Sequence, residues 1–164
     1  MKKKQCKSIN TKVMNIFLTL LLIITMVSVG EMNSKAGNTT DTSWSFEISV
    51  NNNNYQRSDR RPKYDSSSFY VFWSIAAGPS SFYLQTYGSL TNSDSSMVPY
   101  NYNGRVYVPQ TGRYSVRSLV YESLGGSGKT VYACFGVKSA TTSGDIGGVW
   151  SPDSAGSYNV LSMP

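Results

Sequence analysis

Histidine is absent from the chain, and charged residues make up only 15% of its 164 residues. Without an imidazole there is no Ser-His-Asp or Cys-His catalysis, no histidine general base and no histidine-bound zinc. The sequence also lacks an EF-hand-type calcium loop, and nothing in it singles out a pair of carboxylates for glycoside hydrolysis. We therefore expect a protein that is not an enzyme and that has no cofactor and no metal site.

Helix signals are scarce beyond residue 36. Apolar residues do not recur there at helical spacing, whereas Ser, Tyr, Thr, Val and Gly, which favour strands or turns, are abundant. Short strand patterns alternate with turn clusters, which is typical of small β domains. The sequence predicts an all-β fold, a small antiparallel β-sandwich or barrel, preceded by a helical signal peptide.

The amino-terminal segment has the pattern of a secretory signal peptide. A lysine-rich stretch at 1–12 precedes a largely apolar run of 14 residues at 16–29. A helix that spans a bilayer needs about 20 such residues, so the run is short for an anchor. Two small-x-small cleavage sites follow it, one before Glu31 and one before Gly37, and the alanine at position 36 favours the second.

Charge is distributed unevenly along the chain. The first 36 residues carry a net charge of +5, whereas the remainder carries only +1. A nearly neutral body gives no electrostatic reason to expect nucleic acid as a partner. We expect a secreted, extracellular protein with a signal peptide at 1–36, a flexible lead-in at 37–42 and an antiparallel β domain at 43–164.

Several strands can be placed from the sequence. Apolar and polar residues alternate over 44–50, which predicts a strand with one buried face. The nearly continuous apolar run at 69–76 predicts a central strand covered on both faces, with 81–87 as its antiparallel partner. Segments 113–123 and 130–138 predict two longer strands, which we expect to form a hairpin across a glycine-rich connector.

That connector, Gly-Gly-Ser-Gly-Lys-Thr at 125–130, is similar to the end of a phosphate-binding P-loop. Ser123 stands where the complete pattern requires glycine, and alternating strand residues follow in place of a helix. We therefore interpret the connector as a hairpin turn.

Cys134 lies in the last predicted strand, in which alternate residues of 131–137 form the core face and Cys134 points to the other face. If cleavage follows Ala36, Cys6 leaves with the signal peptide and no internal disulfide can form. Cys134 is then either a small buried hydrophobic residue or an unpaired thiol open to intermolecular bonding.

Two groups of residues are candidate binding sites. Guanidinium groups bind phosphates and carboxylates, so a basic loop would suit an envelope polyanion or anionic lipid head groups; the loop contains Arg57, Arg60, Arg61 and Lys63. Alternatively, these side chains are solvated or pair with carboxylates of the body.

All 12 tyrosines follow residue 54, and three of them form a possible sugar-binding platform with neighbouring amides, namely Tyr100, Tyr102 and Tyr107. Alternatively, these rings cover half-exposed faces of strands.

The most distinctive stretch is Trp-Ser-Pro-Asp-Ser at 150–154. Trp150 is either a large apolar binding anchor or the core residue of a final strand. Together with the export signal, the tyrosine-rich β domain and the segment at 112–117, this ending resembles small secreted proteins of Gram-positive bacteria. Those proteins are mostly of unknown function, and some are loosely grouped with lactococcin-972-type bacteriocins. The resemblance implies a β-sandwich that acts on the envelope of competing cells without catalysing a reaction.

Three functions follow as hypotheses. The first is a secreted, non-enzymatic β-sandwich that acts at a cell envelope in a bacteriocin-like manner, with an envelope polymer, lipid or glycan as its partner. The second is a carbohydrate- or cell-wall-binding module, which the tyrosine cluster favours. The third is an extracellular matrix or self-assembling protein, which the single Cys134 and the serine-rich strands favour.

Overall fold

The computed structural model describes residues 37–101, 104–126 and 128–161. The predicted signal peptide therefore lies outside the described residues. The described residues form one short α-helix, α1, at Val120–Ser123 and one 3-10 helix at Asp94–Ser96. Their strands are β1 Thr42–Ile48, β2 Gln56–Arg57, β3 Arg61–Lys63, β4 Phe69–Ala77, β5 Phe82–Ser89, β6 Val98–Pro99, β7 Val106–Val108, β8 Gly112–Val116, β9 Val131–Ser139, β10 Gly144–Ser151 and β11 Asn159–Leu161.

The strands form two sheets. In the first sheet the order is β1-β10-β4-β8-β11, and in the second it is β2-β9-β5-β6, with β3 also pairing β9 and β7 pairing β5. All pairs are antiparallel except β8 and β11, which run parallel. No pairing joins the two sheets within the described residues, so the domain is an all-β sandwich and not a closed barrel. The predicted fold class is confirmed, with the sandwich as the architecture.

The core lies between the two sheets and is rich in aromatic rings. Trp44 of β1 and Trp150 of β10 both pack edge-on against Phe135 of β9, at ring-centroid distances of 5.3 and 5.2 Å. Trp73 of β4 packs in the same way against Phe82 of β5, at 4.8 Å. Edge-to-face pairs of this kind add to the hydrophobic gain of burying large rings. These contacts hold the sheets face to face.

Two predicted strand pairings are wrong. Strands β4 and β5 follow one another along the chain but belong to different sheets, where β4 lies between β10 and β8 and β5 pairs with β9. Likewise β8 and β9 do not form a hairpin, because α1 interrupts the chain and β9 enters the other sheet. The glycines of that connector do adopt positive φ angles, +82° at Gly125 and +82° at Gly128, but the turn joins two layers.

A buried ion pair joins the Trp-Ser-Pro-Asp-Ser segment to β3. The Lys63 ammonium donates to Asp153 Oδ1 at 2.8 Å, to the Pro152 carbonyl at 2.7 Å and to the Ser67 carbonyl at 2.5 Å. Asp153 Oδ2 also accepts the backbone N–H of Tyr64 at 3.0 Å. Both side chains are 0% exposed. Burying two charges is tolerated because each finds enough hydrogen-bond partners to offset its lost hydration.

The segment expected to be a flexible lead-in is instead tied to this ion pair. The backbone N–H of Asn38 donates to Asp153 Oδ2 at 2.6 Å, and the Asn38 side chain donates to the Pro62 carbonyl at 2.8 Å. Arg61 donates to Asn38 Oδ1 at 2.8 Å and also to the Thr40 carbonyl. The folded domain therefore begins in the lead-in, before β1. The polar sequence of the lead-in does not by itself predict this boundary.

Replacing one partner of the buried pair should destabilise the fold strongly. We expect Asp153→Asn to lower the free energy of unfolding by about 3–5 kcal/mol, because the Lys63 ammonium would stay buried without its counter-charge. Urea denaturation followed by tryptophan fluorescence measures the change.

The matched control is Asp145→Asn, since Asp145 is an exposed carboxylate on β10. It should change the free energy of unfolding by no more than about 0.5 kcal/mol. Equal stability of the two variants would show that the ion pair does not hold the sheets as described.

Candidate functional site

The outer face of the second sheet presents an array of tyrosines and cations. On β5 the residues Phe82 and Leu84 face the core, so the period of two turns Tyr83, Gln85 and Tyr87 outward. Neighbouring strands and the residues that lead into them add further side chains to this surface. We call the set the tyrosine–cation face; it consists of Tyr55, Arg57, Tyr83, Gln85, Tyr87, Arg105, Tyr107 and Lys138.

Each cation of the face lies against a ring. The Arg105 guanidinium is 4.1 Å from the centre of the Tyr83 ring, and Arg57 is 4.4 Å from that of Tyr87. Lys138 Nζ lies 5.9 Å from the centre of the Tyr55 ring. Such contacts are attractive because the ring face is electron-rich. They hold the cations in place without neutralising them.

The rings also contact one another. Tyr83 and Tyr107 are directly opposite on β5 and β7, with centroids 5.7 Å apart, and Tyr55 and Tyr87 are 6.4 Å apart. Gly136 of β9 provides the room for the second pair, because a Cβ at this position would lie 2.9 Å from the Tyr87 ring and 3.0 Å from Tyr55 Cβ. Because Gly136 has no side chain, both tyrosine rings can pack over the backbone at this position.

The face is positively charged. Burial raises the pKa of Tyr55 and of Tyr87, although Arg105 and Arg57 respectively oppose the shift, so both phenols are neutral at physiological pH. The four strands that carry the face, β2, β5, β7 and β9, contain no Asp or Glu. The face can therefore donate charge-assisted hydrogen bonds to anions while its rings cover apolar ligand surface.

The basic loop predicted from the sequence does not act as one surface. Arg57 is exposed on the tyrosine–cation face. Arg60 pairs with Asp94 and donates to Asn92 Oδ1 at 2.9 Å. Arg61 is bound by the lead-in, and burial lowers its pKa against the opposing charge of Asp41.

Lys63 is a correction to the predicted site. It is fully buried, and burial lowers the pKa of its ammonium group although Asp153 opposes the shift. The alternation of side chains along β3 directs the Lys63 side chain inward, toward Asp153. A surface polyanion cannot reach it.

The predicted tyrosine platform is also dispersed. Tyr107 is 48% exposed and belongs to the tyrosine–cation face, whereas Tyr100 is partly buried and packs against the main core. Tyr102 lies outside the described residues. Trp150 is 0% exposed between the sheets, so the interpretation of it as a core residue is confirmed and a role as an exposed anchor is wrong.

The alternation on β5 is the signal that points to Tyr83 and Tyr87. An inward series at 82, 84 and 86 implies an outward series at 83, 85 and 87, and two of those three residues are tyrosines. Their association with Tyr107 and Arg105 depends on a strand pairing that local sequence does not specify.

Cys134 points away from the main core, as its place in the strand predicts, but it is 0% exposed. It lies in a small second cluster with Tyr87 and Met97, against which Tyr55 and Tyr132 pack. Burial raises the pKa of its thiol to about 11. The thiolate, which is the reactive form, is therefore scarce at neutral pH.

We expect Cys134 to resist thiol chemistry in the folded state. In a chain with Cys6→Ser, Ellman's reagent should label the native protein at least about tenfold more slowly than the protein in urea, because the Cys134 thiol is both covered and protonated. Gel migration should be the same with and without reductant.

Ser45→Cys is the control, because residue 45 is exposed on β1 and should react rapidly. Equally rapid labelling of Cys134, or dimers that reductant removes, would contradict its burial and would favour thiol-linked assembly.

The first sheet carries a shallow pocket of about 360 Å³ on its outer side. Inside it the Tyr70 and Tyr158 rings lie 4.6 Å apart. The pocket combines one cation, one anion and two aromatic rings, and its lining is Thr39, Asp41, Tyr70, Arg113, Ser151, Ala155 and Tyr158. Its mixed charge fits a polyanion less well than the tyrosine–cation face does.

Two other kinds of site are absent from the part of the chain that the structure describes. It contains no group of three or more His, Cys, Asp or Glu placed to hold a metal ion. It also contains no helix that is both long enough and apolar enough to cross a bilayer.

These features define a small β-sandwich with an aromatic, cationic outer face. The chain belongs to the family described as "Protein of unknown function (DUF2712)", whose model matches residues 32–154. The match spans β1 to β10, and with them the buried ion pair and the tyrosine–cation face. No curated protein and no solved structure matches the chain significantly.

Proposed function

We propose that this protein is exported and binds an anionic glycan polymer of a cell envelope, without catalysing a reaction, through the tyrosine–cation face. The observation that carries this proposal is the stacking of Arg57, Arg105 and Lys138 on tyrosine rings across one open sheet surface that has no acidic residue on its strands. Tyrosine rings offer flat surfaces to sugar rings, and the cations bind phosphate or carboxylate groups of the polymer.

The composition of the face favours a glycan over a lipid bilayer. In the four strands that carry it, all of which the structure describes, Tyr107 is the only exposed large apolar side chain. Insertion into a bilayer requires a contiguous apolar surface, usually of aliphatic side chains and tryptophan. A row of rings and cations in which Tyr107 is exposed and Tyr83 is half-buried is better suited to a long hydrated polymer that lies along the sheet.

Export is the second part of the proposal. It is supported by the lysine-rich stretch at 1–12, the short apolar run at 16–29 and the small-residue cleavage sites that follow. An exported protein meets the anionic polymers of the envelope directly.

Binding to insoluble cell wall from Gram-positive cells tests the proposal. We expect the protein to sediment with the wall, and Tyr107→Ala and Tyr83→Ala each to weaken binding about five- to tenfold, because each removes one stacking ring. Sedimentation over a range of wall concentrations measures the affinity, and circular dichroism checks the fold of each variant.

The control is Tyr158→Ala, which removes a half-buried ring from the opposite sheet. A loss of binding in Tyr158→Ala alone would assign the polymer to the pocket and contradict the proposal.

Affinity should also fall several-fold between about 50 and 500 mM salt, and Arg105→Gln should reduce this dependence whereas Arg117→Gln should not. Salt-independent binding would reject the role of the cations.

Bacteriocin-like activity is a second candidate function. It is supported by the resemblance of the Trp-Ser-Pro-Asp-Ser ending to secreted proteins that are loosely grouped with such bacteriocins. Within the fold, Trp150 and Asp153 of that ending serve the core and the buried ion pair, so an inhibitory activity would also have to act through the outer surface.

A growth assay separates the two candidates. Bacteriocin-like activity predicts that micromolar protein slows the growth of related Gram-positive cells, and that Tyr107→Ala loses this effect together with wall binding. Binding without any effect on growth would restrict the function to attachment. Inhibition that Tyr107→Ala retains would place the activity elsewhere on the molecule.

A further inference from the structure

Gly37 packs against the side chains of Asp65 and Asp153. A side chain at this position would collide with Asp65 Oδ2 and would lie 3.1 Å from Asp153 Cβ. From standard bond lengths, the Gly37 nitrogen therefore lies within about 5 Å of the Asp65 carboxylate. The next residue, Asn38, is fixed by its hydrogen bonds to Asp153, Pro62 and Arg61, so the position of Gly37 is well defined.

This region has an excess of negative charge. Burial raises the pKa of Asp65, but hydrogen bonds with Ser67, a side-chain hydrogen bond with Asp153 and the charge of Lys63 outweigh burial and hold that pKa below its usual value. Asp65 is therefore ionised at neutral pH. Among the described residues, the cations here are Lys63, Arg61 and, in the same pocket as Asp41, Arg113, and the carboxylates are Asp41, Asp65, Asp153 and Glu122.

The cleavage site favoured by the sequence lies immediately before Gly37. Cleavage after Ala36 converts a neutral peptide N–H into an α-ammonium group, whose ordinary pKa is about 7.7–8.0. An opposite charge within about 4–6 Å favours the charged form of such a group. Cleavage before Glu31 would instead leave six residues ahead of Gly37 and no charge at its nitrogen.

We propose that cleavage after Ala36 places the new α-ammonium group of Gly37 against Asp65, where it supplies the missing positive charge and locks the mature amino terminus onto the buried Lys63–Asp153 pair. This inference rests on the export proposed above. The peptide bond between residues 36 and 37 is hydrolysed: water adds one oxygen to the carbonyl carbon of residue 36, which leaves as a carboxylate, and the two protons of water join the amide N–H proton to form the α-ammonium group. Removal of the leader thereby adds a positive charge that offsets the excess of carboxylates in this region.

The full chain, secreted by a Gram-positive host under its own leader, provides the test. Intact mass of the secreted product should show Gly37 as its first residue. A second full chain with one serine inserted between Ala36 and Gly37 is cleaved at the same bond and displaces the amine by one residue. We expect its product, verified by intact mass, to melt about 3–6 °C lower.

Asp65→Asn shows whether the carboxylate causes this difference, because asparagine retains an acceptor for Ser67 but loses the charge. In that background the inserted serine should shift the melting temperature by less than about 1 °C. Asp145→Asn, an exposed charge change of the same kind, should leave the full difference in place.

A second measurement needs no stable variant. Acetylation at about pH 6.5 is selective for α-amines, and in the native product it should proceed at least about tenfold more slowly than in urea. A product that begins at Glu31, an insertion without effect on melting, or an amine as reactive as in urea would overturn the lock and leave the wall-binding proposal intact. An unprocessed chain that stays inside the cell would overturn export and the lock together.

Discussion

The Lys63–Asp153 ion pair is the interaction on which the rest of the fold depends. Lys63 ends β3 at the margin of one sheet, and Asp153 follows β10 of the other, so the pair links the two layers at one end of the sandwich. A desolvated pair is costly unless its remaining hydrogen-bonding capacity is met, and here three carbonyl or carboxylate oxygens and two backbone N–H groups meet it. The lead-in and the β3 loop must therefore both be in place for the pair to form.

This constraint also decides where positive charge remains available at the surface. Lys63 is used inside the fold, Arg61 is bound by the lead-in, and Arg60 pairs with Asp94. Arg57, Arg105 and Lys138 stack on tyrosine rings of the second sheet, and Arg113 stacks on Phe72 of the first sheet. A nearly neutral body can thus present a positive face, because the strands of that face carry no acid and Asp94, whose backbone carbonyl accepts a hydrogen bond from Arg57, is paired with Arg60.

Local sequence patterns were sufficient to predict β1, β4, β5 and β9 but not their partners, and the strand expected at 113–123 ends at Val116, with α1 at 120–123. The inward series of β9, the alternation of β1 and the apolar β4 all follow from side-chain periodicity, which is a property of neighbouring residues. Strand pairing depends on residues that are distant in the sequence. Strand β1 pairs with β10, about 100 residues away, and β4 and β5 lie in different sheets although a short turn connects them. Lys63 shows the same limit for a single residue. A lysine in a basic loop predicts a solvated surface side chain, and only the folded structure brings Asp153 next to it.

The Trp-Ser-Pro-Asp-Ser ending illustrates how a distinctive sequence can reflect folding and not activity. Trp150 fills the core, Ser151 donates to the Asp153 carbonyl, Pro152 supplies a carbonyl to Lys63, and Ser154 donates its N–H to Ser67. Each of these roles serves the fold of this chain, and none of them lies on the tyrosine–cation face. A likeness based on the ending therefore carries the architecture from one protein to another, whereas a difference in binding has to lie in the residues that alternate outward on β5, β7 and β9. The outer face is accordingly where proteins with the same core can differ in what they bind.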